Sequence, residues 1–145
     1  MLLDAHARRV VGWALADHLR TARALDALAM ALRARRPPPG RVHHTDRGGQ
    51  YTAAAYREAL AARGVTVSMH RAGACRANAL AERCCATRKA EVADAGSWPS
   101  RAAARTATCA WLASWSNRQR RHAARNYRAP VTCEEDVLLL SCPTA

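Results

Sequence analysis

Apolar and polar positions along this chain repeat at two periods. In LLDAHARRVVGWAL, residues 2–15, an apolar run, a polar turn near His6–Arg8 and a second apolar run over Arg9–Leu15 predict two strands of a hairpin. A domain rarely begins inside a hairpin, so the start is expected to be cut. Beyond it the period lengthens. Leu25, Leu28, Ala29 and Leu32 recur at helical spacing, which predicts a helix capped by Thr21, buried along that stripe, and running to about Arg35. PPPG at 37–40 stops it. Arg41–Thr45 reads as a short strand, and Arg47-Gly48-Gly49 turns the chain away. Thr52 is expected to cap a second helix ending at Gly64, and Val65–Met69 to form another strand. A loop over His70–Ala77 follows, then a third helix from a capping Asn78 to about Val92. Trp98-Pro99 opens a fourth, with proline in its first turn, running to about Ser116. From Asn117 the pattern turns basic and irregular. The leucines at 138–140 are not expected to pack, and residues 129–145 read as an irregular tail after a domain of residues 1–128.

Strands alternating with helices predict an α/β layer fold, with helices on a partly parallel sheet. In such sheets, sites gather at the C-terminal ends of the strands. The strand over 41–45 delivers Asp46 there.

Composition changes this picture in two ways. The apolar half of the 145 residues contains no Phe and is rich in alanine, which favours helix but buries little area, so the core is expected to be thin. The charge is +12, and every basic residue except Lys89 is arginine. GC-rich codons explain part of that excess but not its placement: seven arginines and no acid lie between Asp94 and Glu134. Such a segment favours a polyanion, with nucleic acid first. The six cysteines (75, 84, 85, 109, 133 and 142) are irregularly spaced and follow no signal peptide, so free thiols in a reducing cytosol are expected. No apolar run approaches a membrane span.

Carboxylates that hold magnesium come in groups, so Asp46 needs partners. Glu58 lies on the following helix, and Asp17 and Asp26 flank the first. Glu82 is the better candidate, one turn into a helix whose preceding loop returns from a neighbouring strand. Thirty-five residues separate it from Asp46.

Three blocks, HTDRGGQY, GACRANALAERCCATRKAE and SWPSRAAARTATCAWLASWSNRQRRH, closely resemble the integrase catalytic core of bacterial insertion-sequence transposases, the retroviral-integrase-like D,D-35-E class. That family's pattern reads H-[ST]-D-R-G-x-Q-Y, then C-x-x-N-A-x-x-E, then Y-N-x-x-R-x-H and a following proline. His44, Asp46, Arg47, Gly48, Gln50 and Tyr51 match the first block. Cys75, Asn78, Ala79 and Glu82, with Lys89 and Glu91 behind, match the second. Asn117, Arg120, His122 and Pro130 match the third. The resemblance runs from residue 2 to about 130.

The resemblance implies a ribonuclease-H-like fold and a two-ion mechanism with magnesium, or manganese in its place, held by three carboxylates. Asp46 and Glu82 would be the second and third of these, serving as catalytic and metal residues. Arg47, Gln50, Asn78, Lys89, Asn117, Arg120 and His122 would contact DNA or support the site. The first aspartate belongs on the family's opening strand, which is expected to precede this chain. Asp4 matches instead the acid at a hairpin turn. The fold is therefore expected to be incomplete, lacking its first strand and most of its second, with unpaired backbone beside the strand carrying Asp46.

Further departures point to a decayed copy. Cys84-Cys85 replaces Phe-Phe, Arg88 a leucine, Ala77 an aspartate, Ser116 a tyrosine and Cys109 an aromatic. Arg88 follows Leu80 and Cys84 at i+4 spacing, so it is expected to break a buried stripe at a cost of several kcal/mol. The expectation is a fragment of a DNA transposase, inactive alone, in the bacterial cytoplasm. Its partner is DNA, and either further copies or intact transposase; no membrane or small-molecule cofactor is involved. The alternative is a non-enzymatic basic DNA binder, based on residues 101–128, that regulates or inhibits intact transposase. As bland features, Trp13 and Trp111 are assigned to the core, His43 to a strand, and Tyr56 and Leu60 to helix packing.

Overall fold

A computed structural model of the chain describes residues 1–16, 20–69, 79–94 and 96–141, without the side chains of 138, 140 and 141. Cys75, Asn78, Asp17 and the loop expected over 70–77 lie outside the described residues.

The chain opens with two short paired strands, β1 (Leu2–Leu3) and β2 (Val10–Gly12). The Asp4 carboxylate accepts the backbone N–H groups of His6 and Ala7 at 2.8 and 3.0 Å, which ties down the turn between them. This is the hairpin-turn position the sequence assigned to Asp4. Gly12 ends β2 against α1 (Thr21–Arg35): a Cβ on Gly12 would sit 2.1 Å from the Ala27 carbonyl oxygen, so no side chain fits there.

Helix α1 forms because leucine and alanine dominate it, and it ends at Arg36 in the left-handed conformation, with prolines beyond. Two expectations shift. Arg20, not Thr21, takes the cap position, with no side-chain hydrogen bond. Leu28 is buried and Leu25 and Leu32 pack against the core, as the stripe predicts, but Ala29 is exposed, and Ala27 and Ala31 are buried instead.

Strand β3 (Val42–Thr45) pairs in parallel with β4 (Thr66–Met69), in the register Val42↔Thr66 to Thr45↔Met69. Between them lie a short helix that was not expected, α2 (Gly49–Thr52), and the expected one, α3 (Ala54–Ala61), separated by Ala53, which is extended at φ −58, ψ 140. Thr52 therefore closes a turn, donating to the Gly49 carbonyl, rather than capping. Gly64 follows α3 at φ +63, a conformation open to glycine. Tyr56 and Leu60 pack with Leu28 and Val65 as the core of this first compact unit, which comprises Met1–Leu2 and Val11–Arg83. Trp13 is only half-buried.

The described strands form two separate two-stranded sheets, and no ladder joins β3 to a second neighbour among the described residues.

Helix α4 (Ala79–Arg88) continues through a wider π-helical turn, Lys89–Ala93. None of the α4 residues is buried: Leu80 is 38% exposed and Arg88 half-exposed, so no guanidinium is forced unpaired into a core. Helix α5 (Arg101–Ala110) is capped by Ser100, whose hydroxyl accepts from the Ala103 N–H at 3.1 Å. It runs on as a π-helical stretch, Trp111–Gln119, past the expected end at Ser116. Trp111 is buried, as expected.

The tail departs from expectation. Residues Pro130–Ser141 form a helix, α6, rather than an irregular segment. Pro130 is fully buried in the first turn, where its missing N–H costs nothing. Arg9 pairs with Glu134 at 2.6 Å and Arg128 pairs with Asp136. The second compact unit is Leu3–Val10 with Cys84–Ala145. No helix among the described residues is long and apolar enough to cross a membrane.

Candidate functional site

The first unit places Asp46 immediately after β3, exposed at the C-terminal end of the parallel pair. One oxygen, Oδ1, accepts the Gly48 N–H at 2.8 Å, which fixes the carboxylate over a tight turn. A Cβ at Gly48 would lie 3.0 Å from that oxygen and 2.9 Å from the Gln50 amide nitrogen, so glycine lets both side chains close over the turn. Gln50 thereby stands beside Asp46. Arg47, next in sequence, is exposed. Thr45, just before, is buried, and its hydroxyl has no hydrogen-bond partner among the described residues.

The two histidines ahead of Asp46 both hydrogen-bond within the fold. His44 Nδ1 shares a hydrogen bond with Ser68 Oγ at 3.0 Å, across the β3–β4 pair. His43 Nε2 lies 3.0 Å from the Tyr56 hydroxyl. Burial, followed by the neighbouring His44, pushes the His43 imidazole down to about 4, so it stays neutral at pH 7. Burial raises the Tyr56 phenol, and Tyr51 meets the Tyr56 ring edge-on at 5.4 Å. The strand that presents Asp46 thus rests on an uncharged aromatic layer.

Glu82 is exposed in the first turn of α4 and belongs to the same compact unit as Asp46. Among the described residues, no group of three or more His, Cys, Asp or Glu is placed to hold a metal ion. Carboxylate oxygens are the right donors for a hard divalent cation, but two carboxylates do not furnish a two-ion site. Among the described residues, the donor set does not fit that group.

The second unit carries the other residues of the motif blocks. Asn117 is buried, and its amide both accepts the Val10 N–H at 2.8 Å and donates to the Val10 carbonyl at 2.9 Å. Arg120 donates to Glu91 Oε1 at 2.7 Å and to Thr87 Oγ1 at 3.4 Å. Glu91 Oε2 accepts from the indoles of Trp111 and Trp115, each at 2.9 Å. Burial opposes ionisation of Glu91, but the two indoles and Arg120 outweigh it and hold the carboxyl below its usual range. Burial lowers the His122 imidazole too, reinforced by the guanidinium groups of Arg120, Arg8 and Arg125. Lys89 is exposed at the start of its π-helical turn. Burial, then Cys85, raises the Cys84 thiol, which keeps it protonated.

Sequence reasoning missed the Glu91 hub, the Arg9–Glu134 pair and the turn at Asn126–Tyr127. The first two join residues far apart in the chain. The third had a weak signal in the Asn-Tyr pair.

Two models of an integrase core domain match the chain, over residues 1–75 and 63–130. Among curated proteins, the transposase for insertion sequence element IS629 of Shigella sonnei is 37% identical over 134 residues, covering 92% of this chain and 45% of that protein. The transposase for insertion sequence element IS904 of Lactococcus lactis is 29% identical, covering 92% and 53%. Transposase InsF for insertion sequence IS3A of Escherichia coli is 34% identical, covering 84% and 42%. The chain thus spans about half the length of the curated relatives it matches. Among solved structures, it is similar to a chain of the simian T-cell lymphotropic virus intasome in complex with PP2A regulatory subunit B56 gamma. The TM-score is 0.64 at 16% identity, over 90% of this chain and 45% of that one. That likeness bears on fold alone.

Proposed function

This chain belongs to the integrase core domain family of insertion-sequence transposases, with an incomplete ribonuclease-H-like α/β fold, and we propose that it carries two of three carboxylates of a DNA-transfer site without completing that site. Asp46 and Glu82 are the two. The observation that carries the reading is the position of Asp46: exposed at the C-terminal end of a strand in a parallel pair, its carboxylate fixed by Gly48, with Gln50 beside it. Sites in parallel α/β sheets form at that end. Transposases of this class generally depend on a divalent metal ion. Two acids do not make the two-ion donor set, so no step through the ions is assigned to this chain alone. Bacterial relatives support the bacterial cytoplasm as the place of action.

A strand-transfer assay tests the reading, with the purified chain, magnesium and DNA ending in the element's terminal repeats. No transfer product above background is expected. Robust magnesium-dependent product, abolished by Asp46→Asn, would overturn the inactivity of the chain.

A second reading, a basic DNA binder that regulates or inhibits intact transposase by joining its assembly, is favoured by one observation. Arg118 and Arg121 are exposed in a stretch, residues 95–133, that contains no acid. Displacing counterions from DNA makes such binding salt-dependent. Affinity for duplex DNA is expected to fall at least about tenfold between roughly 50 and 200 mM salt. Salt-insensitive affinity, or none, removes this reading.

A further inference from the structure

The chain from His122 to Arg128 folds into a tight turn. His122 N–H donates to the Arg128 carbonyl at 3.2 Å, and the N–H groups of Arg125 and Tyr127 both donate back to the His122 carbonyl, at 2.9 and 3.0 Å. Arg128 N–H reaches the Arg125 carbonyl at 3.0 Å. Two side chains anchor the turn within the second unit. Arg125 donates to the Ala5 carbonyl at 3.2 Å, and Arg128 pairs with Asp136.

At the head of this turn, Asn126 and Tyr127 both sit in the left-handed region, at φ 51 and 57. Asparagine tolerates that conformation; a bulky aromatic residue rarely adopts it. Among the described residues, Tyr127 is the only aromatic with positive φ, and it is 68% exposed. Its ring therefore contributes little to packing that would offset the strain. The other two strongly exposed aromatics differ. Trp98 and Trp115 have negative φ, and their indoles donate to the Val92 carbonyl and to Glu91. Strain held at an exposed side chain points to a use outside the fold.

The surroundings select the partner. Arg120, Arg121, Arg125 and Arg128 crowd the same nine-residue stretch, 120–128, which has no acid, and Arg121 is exposed. The His122 imidazole is lowered first by burial, and the guanidinium groups of Arg120, Arg8 and Arg125 add to that. An exposed aromatic ring in an acid-free segment with exposed guanidinium groups at Arg118 and Arg121 suits nucleic acid: those charges engage the backbone, and the ring takes a base face.

We propose that Tyr127 is a stacking platform for an unpaired DNA base, held out by the strained, arginine-rich turn 122–128. This rests on the reading that the chain contacts DNA, and it adds the form of DNA bound: an end or junction with unpaired nucleotides.

The test uses the full 145-residue chain and two DNAs, a blunt duplex and the same duplex with a short 3′ overhang carrying 2-aminopurine. Fluorescence anisotropy reads affinity, and quenching of the 2-aminopurine reads stacking. The wild type and Tyr127→Phe are expected to bind the overhang about tenfold more tightly than the blunt duplex and to quench the probe. Tyr127→Ala and Tyr127→Gly are expected to lose that difference and the quenching while keeping the blunt-duplex affinity. Tyr127→Gly relieves the backbone, so its unfolding temperature is expected at or above the wild-type value; a lower one contradicts the strain on which the inference rests. If the wild type binds blunt duplex but shows no overhang preference, or Tyr127→Ala retains that preference, the stacking role falls and the DNA reading stands. If the wild type binds neither DNA, both fall together.

Discussion

Asn117 does with one amide what a neighbouring strand does with its backbone. It satisfies both the N–H and the C=O of Val10, a residue buried within the second unit. Truncation leaves two buried peptide groups without partners, at about 1–3 kcal/mol each before any relaxation. Asn117→Ala is therefore expected to lower the unfolding free energy by about 2–4 kcal/mol in a urea titration; a loss under about 0.5 kcal/mol would show that Val10 finds another partner. The block that contains Asn117 was legible in the sequence, but its work was not. Donor and acceptor stand 107 positions apart, and no local pattern links them. His43 was more readable: the short strand expected over Arg41–Thr45 carries it, and its neutral ring follows from its half-buried position there. Asp46 was readable for the same reason, since the end of a short strand followed by Arg-Gly-Gly leaves one exposed carboxylate.

Helix spans were legible where alanine and leucine repeat, as in α1, and less so at their ends. Thr21 and Thr52 have the chemistry of caps, yet the backbone entering each helix put Arg20 and Ala53 at the boundary instead. The tail was misread because the anchors of α6 lie outside it: Arg9 is 125 residues from Glu134, and Arg128 holds Asp136 from the preceding turn. The π-helical turns were invisible too. They bring Glu91 against Trp111, Trp115 and Arg120, a contact set by packing between helices rather than by propensity. That carboxylate is partly exposed, so solvent screens it and its contribution is about 1 kcal/mol or less. Its ionisation in the folded state is favoured relative to its ordinary value of 4.5, so the contribution is present above that pH and is lost as pH falls below it. Glu91→Gln is expected to cost about 1 kcal/mol or less at pH 7 and to flatten the stability profile below pH 4.5. A parallel profile would assign the acid sensitivity to other groups.

At the scale of the molecule, composition foretold the character of the core: four of the twelve buried apolar residues among those described are alanine. The alternation of strands and helices foretold the α/β class, and the parallel β3–β4 pair agrees with it. The chain divides into its two compact units between Arg83 and Cys84, and the hairpin segment Leu3–Val10 clusters with the C-terminal residues rather than with its sequence neighbours. Asp46 and Glu82 fall in one unit, while Asn117, Arg120 and His122 fall in the other. The reading as a transfer site therefore turns on whether the two acids act as a pair. Paramagnetic line broadening measures that most directly: Mn²⁺ is titrated into the isotope-labelled chain and into its Asp46→Asn and Glu82→Gln variants. Signals of residues 45–50 and 79–83 are expected to broaden at the same low Mn²⁺ concentration, and either substitution should abolish the effect at both. Independent responses, with Glu82 unaffected by loss of Asp46, would contradict the account.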